Sequence, residues 1–274
     1  MKVAFQGEPG AYSEQALYNH FGTVETLPCE TFDLVFAAVE DGMADFGLIA
    51  IENSLAGSIH QNYDLLLRHK LSITGEHFLR VHHCLIGLPG VEKKDIRRVI
   101  SHPQALGQCA GYIRAMQGAK PEPVFDTAGS VKIVRDSGDR TTAAIASRRA
   151  AELYGMNVIH EGIEDDPENY TRFLAISPTS APPPPAADAK TSIVFSLKNQ
   201  PGALFKAMSV FALRDIDLTK IESRPLIGKP WEYMFYIDFA GSIADEHVKK
   251  ALDHLDEYAL TLRVLGCYQR HRPE

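Results

Sequence analysis

The sequence predicts an α/β protein in two parts, a body of alternating strands and helices followed by a separate βαββαβ module. Three observations predict it. Up to about residue 177, short apolar runs alternate with segments of helical period, the pattern of a mainly parallel sheet with helices on both faces. Ser177 to Lys190, SPTSAPPPPAADAK, holds four consecutive prolines and reads as a stiff spacer with nothing to bury. Beyond it the order of patterns becomes strand, helix, strand, strand, helix, strand, the split ferredoxin-like arrangement. The expected domains are 1–178, a linker at 179–190, and 191–274.

In the body, KVAFQG is the first strand, and a helix starts near Ser13, the expected N-cap. FGLIAI is a strand followed by ENSLAGS and the helical IHQNYDLLLRH. RVIS leads through HPQ into ALGQCAGYIRAM, and TAAIAS into RRAAELYG. After the linker, TSIVFSLK, DLTKIESR, EYMFYIDF and TLRVLGCYQR are the strands, with ALFKAMSVFALR and ADEHVKKALDHLDEY the helices. In such parallel sheets ligands bind beyond the carboxyl ends of the strands, where helix N-termini present free N–H groups. The strand-to-helix junctions are therefore where function is expected.

Composition narrows the classes. The 274 residues are 45% hydrophobic and 23% charged, as in an ordinary globular protein. No stretch approaches the roughly 20 apolar residues of a membrane span, so no membrane partner is expected. The N-terminal apolar run reaches a glycine turn too soon for a signal peptide, which predicts a cytoplasmic protein. Cys29, Cys84, Cys109 and Cys267 are far apart and lack metal or disulfide spacing, so no metal is expected and the thiols read as small core residues. The net charge of −7 falls within residues 1–190, which hold 17 basic and 24 acidic groups. Such a body repels polyanions, which argues against nucleic acid.

Six segments carry candidate chemistry. GEPGAYSEQAL lacks the G-x-G-x-x-G spacing and reads equally as a tight turn or a ligand-facing loop. IENSLAGSIHQNYDLL crowds Glu52, Asn53, Ser54 and Ser58 around Gly57. Ser58 alone would be read as a helix cap, but one cap does not need the other polar groups. SHPQALGQC sets Pro103 at a helix start beside Gln104, with His102 a scaffold histidine. In NYTRF, Thr171 and Phe173 share one strand face and Arg172 the other, unless the strand begins only at Phe173. Thr171 has no adjacent base in sequence, which disfavours nucleophilic catalysis. NQPGALF and ESRP complete the set in the C-terminal module.

ENSLAGSIHQNYDLL, SHPQALGQC, NYTRFLAIS, GALF and ESRP occur in the order found in prephenate dehydratases, and the resemblance extends over essentially the whole chain. It implies a catalytic domain of two α/β lobes, similar to periplasmic binding proteins, followed by an ACT regulatory domain. The implied reaction takes prephenate to phenylpyruvate, carbon dioxide and water in phenylalanine biosynthesis, without cofactor. By resemblance Thr171 lies at the leaving hydroxyl, Arg172 holds a carboxylate, and Phe173 packs by the ring. Asn53, Ser54 and Gln104, with Gly57 and Ser58, fix the remaining carboxylate and pyruvyl ends. Glu52 either orients Asn53 or donates a proton. The ACT resemblance implies control by L-phenylalanine, bound by Asn199, Pro201, Gly202, Ala203, Leu204 and Phe205 together with Glu222, Ser223, Arg224 and Pro225 at an interface in a homodimer or homotetramer. GSIHQNYDLLLRH also resembles arogenate dehydratases, an alternative that differs in substrate. A non-enzymatic cytoplasmic binder of amino or keto acids is a third possibility, since two lobes about a cleft also serve solute binding.

Overall fold

The computed structural model describes residues 1–226 and 232–272. In chain order its elements begin with β1 (Lys2–Gln6), α1 (Tyr12–Phe21), β2 (Glu25–Cys29), α2 (Phe32–Glu40), β3 (Phe46–Asn53), β4 (Gly57–Ser58), α3 (His60–Arg68) and β5 (Ser72–Arg80). They continue with β6 (Cys84–Gly87), β7 (Arg98–Ser101), α4 (Pro103–Gln108), α5 (Ala110–Ala115), β8 (Lys120–Pro123), α6 (Thr127–Ser137), β9 (Thr142–Ala146), α7 (Arg148–Tyr154), β10 (Asn157–Glu161) and β11 (Tyr170–Ser177). The last are β12 (Ala189–Leu197), α8 (Ala203–Ala212), β13 (Leu218–Pro225), β14 (Tyr233–Ala240), α9 (Glu246–Tyr258) and β15 (Ala259–Gln269). The chain divides into two compact units, residues 1–59 with 77–173 and residues 60–76 with 174–274. The second unit thus takes α3 from the middle of the sequence as well as the C-terminal module.

The first unit holds two α/β lobes. One lobe is built on β2-β1-β3, with β4 folded back on β3 and β1 parallel to both neighbours, and it adds the part of β11 up to Phe173 and the part of β5 from His77. Val3, Ala4 and Phe5 of β1 are fully buried, as are Leu17 of α1 and Val35 and Phe36 of α2. The other lobe has the order β10-β6-β9-β7-β8, in which β7 runs parallel to β8 and β9. Successive strand residues there enter opposite cores. Leu85, Val99 and Ile145 pack with Leu106, Cys109 and Ile113 of the α4–α5 side, while Ile86, Ile100 and Ala144 pack with Val131 and Val134 of α6. A sheet covered on both faces needs apolar side chains at every position, which is why its strands read as continuous apolar runs.

GEPGAYS forms a seam between these lobes. Gly10 has φ +91°, and a Cβ there would lie 2.9 Å from the Ala150 Cα, so both the backbone conformation and the close approach require glycine. Ser147 donates to Gly10 O at 2.6 Å and caps α7 by accepting from Ala150 N. Buried Glu14 accepts from Gly10 N at 2.9 Å and from Arg149 Nε at 2.8 Å. The N-cap of α1 is Ala11, without a side-chain bond, so the expected cap at Ser13 is corrected; Ser13 faces a cavity instead.

The second unit contains the βαββαβ module, an antiparallel sheet of order β13-β14-β12-β15. Ile193, Phe195, Ile237 and Phe239 of its strands pack against Val210 and Phe211 of α8 and Val248 of α9. Helix α3 is bonded to the strands of this module: Tyr236 donates to Tyr63 O at 2.8 Å, and Arg224 donates to both carboxylate oxygens of Asp64 at 3.3 and 2.8 Å. No described helix is long and apolar enough to cross a membrane. All four cysteines are buried, and burial pushes the Cys84 thiol up to about 12.

Candidate functional site

A cavity of about 520 Å³ opens in the first unit, within the size range of small-molecule sites. One lobe contributes Asn53, Gly57, Ser58, Thr171 and Phe173, and the other His83, His102, Gln104, Gln108 and Thr127. Among the described residues no Asp, Glu, Lys or Arg lines it. A ligand held here meets neutral donors, imidazoles and apolar walls.

The sequence places Asn53 at the last position of β3, where the chain turns into ENSLAG. Its Oδ1 accepts from Leu55 N and Ala56 N at 3.1 and 2.9 Å, an Asx turn that fixes the amide. Its Nδ2 then faces Asn169 Oδ1 at 2.8 Å, Tyr170 O at 3.1 Å and Thr171 Oγ1 at 3.1 Å. Ser54 clips the same junction to the start of β11, donating to Glu168 O at 2.7 Å and accepting from Tyr170 N at 2.9 Å. Thr171 is held through its neighbours by both residues.

A second set approaches from the other lobe. Gln108 Oε1 lies 2.9 Å from His83 Nε2 and 3.1 Å from Asn169 Nδ2, and His83 Nδ1 lies 2.8 Å from the Tyr12 hydroxyl. His83 and Asn169 are buried, at 2% and 0% exposure. Burial lowers the His83 pKa, an effect opposed in part by Gln108 and Glu164, and burial also raises that of Tyr12 well above its usual value. Both groups are therefore neutral near pH 7. His102 is the N-cap of α4, accepting from Gln104 N at 3.2 Å, with Pro103 in the first turn.

Of the residues singled out in the sequence, Asn53, Gly57, Ser58, Gln104, Thr171 and Phe173 line the cavity. Ser58 lies in β4, paired with Glu52. Three residues do not line it. Arg172 points away because β11 already begins at Tyr170, so strand alternation applies through the motif; its guanidinium lies over Phe78, 5.8 Å from the ring centroid. The carboxylate clamp expected of Arg172 therefore has no place in the lining of this cavity. Glu52 precedes Asn53 on β3, and strand alternation sets it on the other face, outside the lining. Ser54 is taken up by the Glu168 and Tyr170 backbone.

Tyr12, Ser13, His83, Gln108 and Asn169 were not singled out as site residues. Gln108 had a legible signal, since it follows Gln104 by four residues on one helix and so shares its face. The others sit in loops or a helix start with no local pattern to mark them.

In the second unit, Gly202 adopts φ +78° as the N-cap of α8 after Asn199 and Pro201, and Ala203, Leu204 and Phe205 form the first turn. Phe205 is 76% exposed. On β13, Glu222 and Arg224 share one face while Ser223 and Pro225 share the other. Glu222 meets His60 Nε2 at 3.3 Å, and Arg224 is paired with Asp64.

Two family models match the chain, prephenate dehydratase over residues 3–181 and ACT domain over residues 191–257. The Arabidopsis thaliana protein named arogenate dehydratase/prephenate dehydratase 1, chloroplastic, is 48% identical over 282 residues, which span 98% of this chain and 72% of its own. The structure of prephenate dehydratase from Arthrobacter aurescens in complex with L-Phe superposes with TM-score 0.91 at 32% identity, over 98% of this chain and 90% of that one. A structure described as GqqA, a novel type of quorum quenching acylase, superposes with TM-score 0.92 at 40% identity, over 99% and 98% of the two chains. The cytoplasmic expectation is corrected by these findings, since the Arabidopsis relative is named chloroplastic. The composition of a globular body does not encode its compartment, and address signals lie in segments outside the fold.

Proposed function

Because the chain belongs to the prephenate dehydratase family and is thus a lyase, we propose that it converts prephenate to phenylpyruvate, carbon dioxide and water under control by L-phenylalanine. One observation carries this assignment: Asn53 Nδ2 donates to Thr171 Oγ1, so the hydroxyl hydrogen of Thr171 is left to donate into the cavity that Thr171 lines. A directed neutral donor is what a departing ring hydroxyl requires. As the ring carboxylate leaves as carbon dioxide, the electron pair of its C–C bond enters the ring. That pair shifts through the ring double bonds and breaks the C–O bond in the same movement, and the hydroxyl departs as water with a proton that Thr171 passes on and solvent replaces.

The lining supports the decarboxylating half of the reaction. A carboxylate held away from Asp, Glu, Lys and Arg, and partly stripped of water, gains less stabilisation than in solution, whereas neutral carbon dioxide loses nothing. Gln104 and Gln108, with the N–H groups around Gly57 and Ser58, serve as donors to substrate oxygens, and Phe173 packs against the ring. Arg172, Glu52 and Ser54 are assigned to supporting the loop and strand. The ACT match, together with a relative solved in complex with L-Phe, supports effector binding at Asn199, residues 201–205 and residues 222–225, with those residues meeting between copies of the chain.

Arogenate is the second reading, supported by a relative named for both substrates. The test is product formation from prephenate and from arogenate, each with and without L-phenylalanine. Phenylpyruvate from prephenate, suppressed by phenylalanine, is the expected result. Turnover of arogenate alone assigns the second substrate, and turnover of neither, with acylase activity, would move the chain toward the activity in the description of that relative.

A further inference from the structure

We infer that His83 is a positioning residue that turns the amide of Gln108 so that its nitrogen is presented to the substrate. This rests on the dehydratase assignment for its substrate and on hydrogen-bond direction for its geometry. The chain of direction starts at two backbone groups that can only donate, Leu55 N and Ala56 N, which fix Asn53 Oδ1 as the acceptor. The other end of that amide, Nδ2, must donate, so Asn169 Oδ1 is the acceptor at 2.8 Å. Asn169 Nδ2 is then the donor to Gln108 Oε1 at 3.1 Å.

An amide oxygen accepts and cannot donate, so His83 Nε2, 2.9 Å from Gln108 Oε1, must carry a hydrogen. In the neutral ring Nδ1 is therefore the acceptor towards the Tyr12 hydroxyl at 2.8 Å, whose one hydrogen it shares with the His82 carbonyl oxygen at 2.9 Å. With Oε1 accepting from both His83 and Asn169, the nitrogen is the end of the Gln108 amide that the network leaves to the cavity, which Gln108 lines. The groups facing His83 are Tyr12, Gln108, Glu164 and His82. Glu164 receives the His83 backbone N–H at 2.9 Å and approaches His82 Nδ1 at 3.1 Å, so it anchors the strand entry rather than the ring.

Without the His83 hydrogen only Asn169 Nδ2 holds Gln108 Oε1, so the amide loses one of the two donors that fix its direction and presents its nitrogen to the substrate less reliably. A double-mutant cycle tests this. His83→Phe keeps the ring volume and removes both nitrogens; it and Gln108→Ala are each expected to lower kcat/KM by roughly tenfold. The double variant should match Gln108→Ala within about twofold, because His83 acts only through Gln108. Multiplying losses would overturn the proposal. His83→Gln retains an N–H donor and should recover part of the loss; recovery no greater than that of His83→Phe counts against it. Nitrogen-15 chemical shifts of the His83 ring in the unmodified protein give a readout that needs no turnover. A neutral ring protonated at Nε2 is expected at pH 7, and protonation at Nδ1 would refute the proposal. If neither substrate is turned over, the dehydratase assignment fails on its own while the ring tautomer still decides the geometry.

Discussion

Asn53 offers two hydrogens to three oxygens, those of Asn169, Tyr170 and Thr171, so at least one of these bonds is shared and the amide cannot rotate without losing several partners at once. In the proposed mechanism that rigidity turns Thr171 from a weak free acid into an aimed donor. Thr171→Val removes the hydroxyl while keeping the branched shape. It is expected to lower kcat by about 10²- to 10³-fold with KM changed only a few-fold, the signature of an interaction made in the transition state, while Thr171→Ser retains most of the activity; steady-state kinetics on the accepted substrate check both. The tripeptide TRF made Thr171 and Phe173 legible through two-residue alternation, and the same alternation removes Arg172, whose strand starts three residues earlier than a shared ligand requires. Gln108 was within reach of helical spacing from Gln104. His83, Tyr12 and Asn169 were not, because they become neighbours only through tertiary folding.

At the scale of elements, local periodicity was enough to find the strands and helices and the βαββαβ order, since those patterns are written within ten or so residues. It could not show that α3, following the cavity-lining Ser58, belongs with the C-terminal module. The cause lies in three side chains far along the sequence. Arg224 engages Asp64, Tyr236 engages Tyr63 O, and Arg263 donates to the carbonyls of Leu66, His69 and Leu71 at 3.2, 3.1 and 2.9 Å. The last carbonyls of a helix have no partner within it, and the five-donor guanidinium of Arg263 supplies partners to the end of α3 and the turn after it. Arg263→Ala leaves these acceptors unpaired and is expected to destabilise the unit by about 2 kcal/mol. Arg263→Lys should recover less than half, because an ammonium cannot reproduce the fork. Urea unfolding midpoints compare the three proteins; an unchanged midpoint for the alanine variant would show that water replaces the guanidinium at no cost.

For the molecule as a whole, every residue lining the cavity belongs to residues 1–59 and 77–173, whereas the phenylalanine-binding residues proposed by resemblance lie in the second unit. Control at a distance requires the effector to bind one arrangement of the protein better than another, so the two functions should be separable by substitution. Gly202 is the position that tests this. It holds φ +78° at the start of α8, and no atom lies within 4 Å of a Cβ built there, so the obstacle to a side chain is the backbone rather than space. A valine in that left-handed conformation costs roughly 1–2 kcal/mol and is relieved only by reshaping the Asn199–Gly202 turn. Gly202→Val is therefore expected to raise the half-inhibitory phenylalanine concentration by about tenfold, the equivalent of roughly 1.4 kcal/mol, out of proportion to any fall in turnover measured without phenylalanine. Inhibition curves on both proteins decide it. If sensitivity and turnover fall together, the turn supports the fold of the whole chain and is not a separate effector site; if sensitivity alone falls, the C-terminal module regulates a catalytic unit whose chemistry is complete without it.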